Sequence, residues 1–332
     1  MSGEKPFHVL SPEQFNRAFL EKLFVLADKI RLIDKSKRGN RFLADLLSHK
    51  RSMLYFTQPS SRTFLSFQTA CSILGIKTSE VRDTSISSEK KGESVEDSLR
   101  TFSSYVDLII MRSPLPGLCD RIARLLDETP RSIPVINAGS GPDEHPTQSL
   151  LDLYTLNRNF SVRGGIDGKK ICMVGDLRRG RTVRSLSKLL TNYRDVEIIF
   201  CSPKEFKILD DVREFLRAHP SISFRETGNF IEAISDADAI YMTRIQDEYD
   251  QSFESKVIDI SKYCLTYDHL KYLRDNAVIL HPMPRREELD PRVDLDPRAE
   301  YWRQERNGMW TRVALICKIF GVDNQIMAYK DL

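Results

Sequence analysis

The chain alternates short apolar runs with longer segments whose apolar residues recur every three to four positions. Phe15, Phe19, Leu23, Leu26 and Ile30 fall on one helical stripe, the spacing of an amphipathic helix. Just ahead stand Ser11, Pro12 and Gln14. A capping Ser, a Pro at the first helical position and a Gln that closes a capping box predict that the helix starts there. β-rich runs follow at residues 52–56, 77–81, 106–111 and 133–137, and a second series occupies 170–174, 196–201, 239–242 and 277–280, with helical patterns between them. Strands that alternate with helices predict parallel sheets. The segment 147–156 (TQSLLDLYTL) is apolar and helical and lies between the two series, so it is expected to join two domains. Residues 310–329 read as a further helix that can return to the first domain. The expected fold class is α/β, with two doubly wound parallel-sheet domains joined by interdomain helices.

Length and composition agree with that outline. A chain of 332 residues is long for one core, and two domains of roughly 150 residues each is the natural division. With 29% charged residues and no apolar run of bilayer length, the chain reads as globular and not as a membrane protein. The start, MSGEKPFHVL, lacks an apolar stretch after a basic one, so a cytoplasmic location is expected. Six cysteines are scattered singly, without CxxC or histidines at ligand spacing, and suggest neither a disulfide framework nor a metal site. A net charge of +3 is too small to argue for nucleic acid. Local arginines can still hold a small anion.

In open α/β sheets, ligands gather beyond the carboxyl ends of the strands, where helix N-termini offer backbone N–H groups to anions. The run 52–56 is followed by a Gln58-Pro59 turn and then by Ser60, Ser61, Arg62 and Thr63, which open a helix carrying Leu65, Phe67, Ala70 and Leu74. Three hydroxyls and a guanidinium thus meet a positive helix end, which suits a phosphate. Polar helix starts are nevertheless caps more often than ligand sites. Arg178, Arg179, Arg181 and Arg184 are open to a similar second reading as a solvated basic face. The polar stretch 84–94 (TSISSEKKGES) reads as an exposed loop.

Eight blocks shift the balance. YFTQPSSRTFLSF, EKKGES, MRSP, HPTQSLLDLYT, GDLRRGRTV, TRIQ, HPMPR and NGMWTRVAL occur in one order from residue 55 to residue 315, and the series resembles the aspartate carbamoyltransferases. Ornithine carbamoyltransferases share the S-x-R-T opening, but typically differ at the position of Thr147 and carry HCLP where this chain has residues 281–284.

The resemblance implies transfer of the carbamoyl group of carbamoyl phosphate to the amine of L-aspartate, without cofactor or metal. It implies a carbamoyl phosphate-binding domain at 1–146, completed by a C-terminal helix at about 308–332. A linking helix at 147–157 and an aspartate-binding domain at 158–307 follow, with the active site in the cleft. Ser60, Ser61, Arg62 and Thr63 would hold the phosphate, and Arg112 would reach both phosphate and carbonyl oxygen. His145 would donate to that carbonyl oxygen beside Thr63 and Arg112, aimed at the oxyanion of the tetrahedral intermediate. Gln148 and the backbone carbonyls around Pro282 and Met283 would hold the carbamoyl amine, with a cis Met283-Pro284 bond. Arg181, Arg244, Gln246 and Met283 would serve L-aspartate. Ser87 and Lys91 would come from a neighbouring subunit, Lys91 meeting both substrates, which requires a homotrimer with shared sites. The likeness says nothing of a regulatory chain.

Several positions depart from the family's pattern: Gln58 for the usual Glu, Tyr249 for an Arg, Ser61 for Thr, Ser140 for Asp and Met283 for Leu. The first two belong to an ion pair that latches the family's domains together. Losing one partner of such a buried pair costs about 3 to 5 kcal/mol, whereas replacing both can be close to neutral. Two rival readings follow from these departures, a transcarbamylase for another amine and a catalytically silent homologue acting as a binding subunit.

Overall fold

The computed structural model describes residues 7–83, 92–141, 144–246 and 258–330. The chain divides into two compact units, Met1–Thr147 with Gly308–Leu332, and Gln148–Asn307. At the start of the first unit, the Ser11 capping box forms but closes only a three-residue 3-10 turn, Pro12–Gln14. The long helix α1, Arg17–Ile33, is opened instead by Asn16, whose side chain accepts the Phe19 N–H at 2.9 Å. The expected start at Ser11 is therefore corrected to Asn16. The chain bends at Phe15 to bury that ring, which stacks on Phe19 with centroids 5.1 Å apart.

After α2 (Lys37–Leu46) the unit alternates β1 (Arg51–Phe56), α3 (Ser61–Ile73), β2 (Lys77–Val81), α4 (Val95–Ser103), β3 (Leu108–Arg112), α5 (Leu118–Asp127) and β4 (Val135–Asn137). The strands form one parallel sheet in the order β2-β1-β3-β4. Side chains alternate across it, so Met53, Tyr55, Ile109 and Met111 share a face. They pack there against Leu99 of α4 and Ile122 and Leu126 of α5. Fully burying an apolar side chain of this size is worth about 1.5–3 kcal/mol.

Helix α6 (Pro146–Phe160) carries the chain into the second unit and extends past the expected segment at both ends. There β5 (Lys170–Val174), α7 (Arg181–Leu190), β6 (Val196–Cys201), α8 (Asp210–Arg217), β7 (Ile222–Thr227), α9 (Phe230–Asp236), β8 (Ala239–Met242) and β9 (Val278–Leu280) follow. The parallel order is β7-β6-β5-β8-β9. Strand β7 had no counterpart in the sequence reading. Its residues are mostly half-buried, with Arg225 and Glu226 in ion pairs, so no apolar alternation marks it. Helix α10 (Tyr301–Ile319) leads back to the first unit, and α11 (Asp323–Ala328) ends the described chain. The expected helix at 310–329 thus begins earlier and is interrupted at Gly321, whose φ of +67° is a conformation that favours glycine.

Candidate active site

In the first unit the strand order reverses between β1 and β3, and the ligand position of such a sheet lies beyond the carboxyl ends of those two strands. The expected phosphate residues occupy that place. Arg112 is the last residue of β3, in register with Phe56 at the end of β1, and its carbonyl accepts the Gln58 N–H at 3.2 Å. Ser60 precedes α3 in extended backbone, and its hydroxyl makes no capping hydrogen bond. Asn16, Ser36, Ser94 and Asn229 do cap their helices. The first turn of α3 therefore presents N–H groups that Ser60 does not cover, with Ser61 and Arg62 exposed and Thr63 buried.

The loop between β4 and α6 is held by hydrogen bonds to groups at the neighbouring strand ends. Asn137 at the end of β4 accepts the N–H groups of Gly139 and Ser140, both at 2.9 Å. Ser140 accepts the Ser113 N–H at 3.1 Å and lies 3.1 Å from the Cys119 sulfur, so a neutral hydroxyl serves where the family usually has Asp. Arg112 Nη1 reaches the Ala138 carbonyl at 3.4 Å. His145, only 3% exposed, lies against Gly139. A Cβ at Gly139 would come within 2.5 Å of the imidazole, and its φ of +95° further excludes larger residues. The glycine thus sets where the histidine ring lies.

In the second unit the order reverses between β5 and β8. Here Gly175 and Asp176 follow β5, Arg181 opens α7, and Thr243, Arg244 and Gln246 follow β8. Asp176 is fully buried and accepts the N–H groups of Arg179 at 3.1 Å and Gln246 at 3.2 Å, which ties the two loops together. Burial pushes its carboxyl above the usual range, opposed by those two hydrogen bonds. The arginines of the first loop are not a uniform basic face. Arg184 pairs with Asp211, and Arg179 lies over the Phe206 ring at 5.4 Å.

Beyond β9, His281 organises the turn that carries Pro282 and Met283. Its Nδ1 accepts the Met283 N–H at 2.8 Å, so its Nε2 carries the proton and donates to Glu288 at 2.7 Å. Burial lowers the His281 pKa, with the Glu288 hydrogen bond opposing. The Met283-Pro284 bond is cis, as expected. Gln148 on α6 donates through Nε2 to Asp152 at 2.9 Å. Asp152 is fully buried and also accepts from Tyr241 and Gln304, and burial pushes its carboxyl up to about 7 against those bonds.

Two family models match the chain: the carbamoyl-P binding domain of aspartate/ornithine carbamoyltransferase over residues 8–158, and its Asp/Orn binding domain over 167–319. A chloroplastic aspartate carbamoyltransferase 1 from Pisum sativum is 39% identical over 93% of this chain and 77% of its own length. The chain belongs to the aspartate carbamoyltransferases. The catalytic subunit of aspartate carbamoyltransferase from Clostridium novyi is 37% identical over 95% of this chain and 98% of its own. Among solved structures, aspartate transcarbamoylase from Trypanosoma cruzi in complex with carbamoyl phosphate and aspartate superposes with a TM-score of 0.85. It is 32% identical and covers 94% of this chain and 96% of that one.

Of the residues singled out as aspartate carbamoyltransferase site residues, Ser60, Ser61, Arg62, Thr63 and Arg112 cluster at the first reversal of strand order, with His145 held by the neighbouring loop. Arg181, Arg244 and Gln246 gather at the second reversal, and Pro282 and Met283 follow the adjacent strand β9. Ser87, Lys91 and Tyr249 lie outside the described residues, as does Lys90. Sequence reasoning passed over Asn137, Asp152, Asp176, Glu288 and Gln304. Asp152 carried a readable signal, a lone acid in the apolar run LLDLYT.

Proposed function

We propose that this chain transfers the carbamoyl group of carbamoyl phosphate to the amine of L-aspartate, yielding N-carbamoyl-L-aspartate and phosphate. The observation that carries the reading is the start of α3, where Ser60 leaves the first-turn N–H groups uncapped next to Arg112. A dianionic phosphate needs charge-assisted donors there, and arginine supplies them in a planar fork. Ser60, Ser61, Arg62 and Thr63 hold the phosphate, while Arg112, His145 and Thr63 meet the carbonyl oxygen as the amine attacks and negative charge builds on it. Gln148 and the carbonyls of Pro282 and Met283 accept from the carbamoyl amine. Arg181, Arg244 and Gln246 bind the two carboxylates of aspartate, with Met283 beside them. The amine attacks unprotonated, the C–O bond to phosphate breaks, and the departing phosphate accepts the amine's proton. Incubation with carbamoyl phosphate and a panel of amines tests the reading: aspartate is expected to be consumed by far the fastest, and preference for any other amine overturns it.

Homotrimeric assembly, with Ser87 and Lys91 supplied by a neighbouring subunit, is part of the same reading. Mixed and refolded Lys91→Ala and Arg112→Ala chains, each inactive alone, are then expected to recover activity, because some hybrid trimers hold one intact site. Trimers that form yet stay inactive rule out sharing. The cytoplasm is the proposed compartment, favoured by six buried free thiols, which suit a reducing environment. Cell fractionation decides it. Among the described residues no helix is long and apolar enough to cross a membrane.

A further inference from the structure

A chain of buried hydrogen bonds in the second unit links the two groups that the proposed function assigns to the carbamoyl amine. Asp152 Oδ1 accepts from Gln148 Nε2 at 2.9 Å and from Gln304 Nε2 at 2.6 Å, and its Oδ2 accepts from the Tyr241 hydroxyl at 2.7 Å. Gln304 in turn accepts the His281 N–H through Oε1 at 3.0 Å. His281 holds the Met283 N–H on one side and Glu288 on the other, and Glu288 also accepts the Arg286 N–H at 2.8 Å.

Chemistry determines the direction of the two carboxamide bonds. Both glutamines meet Oδ1, while a proton on the carboxyl can sit on Oδ2 toward Tyr241, so Oδ1 accepts and both carboxamides turn their NH2 groups toward Asp152. Gln304 is then left with its oxygen for the His281 N–H, as observed. Gln148 is left with its oxygen directed away from Asp152. With the Met283 N–H occupied by His281, the turn at 282–283 likewise offers carbonyl oxygens. An amine with two N–H groups needs acceptors of this kind, and a methyl group in its place donates nothing to them.

We propose that Asp152 is a positioning residue that makes the site selective for the carbamoyl amine, orienting Gln148 directly and the 282–283 turn through Gln304 and His281. The proposal rests on the function given above. Acetyl phosphate, which carries a methyl where carbamoyl phosphate carries the amine, is the probe. A site built to hydrogen-bond an N–H rejects the analogue that lacks it, because buried acceptors lose their donors.

The experiment compares KM for carbamoyl phosphate with the inhibition constant of acetyl phosphate in the full-length enzyme. Asp152→Ala frees the Gln148 amide to turn, and is expected to raise KM for carbamoyl phosphate by roughly ten- to a hundredfold, the cost of one or two lost hydrogen bonds. Acetyl phosphate inhibition is expected to stay within about threefold, since it never used those acceptors. Asp152→Asn is expected to restore most of the discrimination, because its oxygen can still accept from both glutamines. In a Gln148→Ala background, Asp152→Ala is expected to cost clearly less than it does alone, because the part that acts through Gln148 is already lost and only the route through Gln304 and His281 remains. Equal weakening of both ligands, or independent effects of the two substitutions, overturns the proposal. If Asp152→Ala does not fold, Gln304→Met carries the same comparison, as it breaks the link between Asp152 and His281. A wild-type enzyme that does not consume carbamoyl phosphate overturns the functional reading itself, a result distinct from lost selectivity.

Discussion

Arg112→Ala is expected to lower kcat/KM for carbamoyl phosphate by roughly a thousandfold, most of it in kcat, because removing one donor to a developing oxyanion typically costs about 10² to 10³ in kcat. Arg112 is assigned a second contact on phosphate, which places the expected loss at the upper end. Arg112→Lys is expected to recover only part of it, since an ammonium cannot reproduce the planar fork. The fold should tolerate either change. The backbone carbonyl that accepts the Gln58 N–H stays in place, and one side-chain bond that is lost, to the Ala138 carbonyl, is long, at 3.4 Å. Circular dichroism and the denaturation midpoint of the variant separate a catalytic loss from a folding defect. Activity within tenfold of wild type would remove Arg112 from the reacting atoms.

Gly175→Ala is expected to destabilise the second unit severely for a change of one methyl group. Gly175 has a φ of +118°, and a Cβ there would lie 2.2 Å from the Thr243 carbonyl oxygen and 2.7 Å from its hydroxyl. Neither atom can easily retreat. The Thr243 N–H and hydroxyl both donate to the Val174 carbonyl at 2.8 Å, which clamps the end of β8 onto the end of β5. The strain of a non-glycine residue in this region, about 1–3 kcal/mol, adds to the collision. A total of roughly 3 kcal/mol or more is expected, read as a lower denaturant midpoint. Because Asp176 and Arg244 flank these two residues, KM for aspartate should rise as well. Gly164→Ala is the control. Gly164 also has a positive φ, of +84°, but nothing lies within 4 Å of its Cβ position, so only the backbone cost of about 1–2 kcal/mol remains.

The parallel strands were legible because a strand buried on both faces is a short apolar run that any chain must interrupt with turn residues. The runs at 52–56, 170–174, 196–201 and 239–242 all became strands with ends within one residue of expectation. Edge strand β7 escaped because Arg225 and Glu226 spend their charge on Glu197 and Arg213, contacts that a linear pattern cannot display. The capping box at Ser11 was read correctly as chemistry and wrongly as position, since the box specifies a helical start but not how many turns follow. At the site, the residues proposed to face substrate stand at strand ends and helix starts, where their polarity is out of keeping with the apolar runs beside them. The residues behind them were hidden for the opposite reason. Asp152 finds Tyr241 and Gln304 at 89 and 152 positions along the chain, and such pairings exist only after folding.

The most direct measurement of the central claim is calorimetric titration of the folded enzyme with a bisubstrate mimic that joins a phosphonate to aspartate through an amide. Such a molecule carries in one frame the phosphate-like group proposed for the α3 start and Arg112 and the two carboxylates proposed for Arg181 and Arg244, and avoids most of the entropy cost of gathering two ligands. Tight binding at one mimic per chain, weakened by roughly a hundredfold or more in Arg112→Ala, is the expected result. Well-folded enzyme that fails to bind the mimic, or binds it equally well without Arg112, contradicts the assignment of the hydroxyl-rich helix start and its arginine to carbamoyl phosphate.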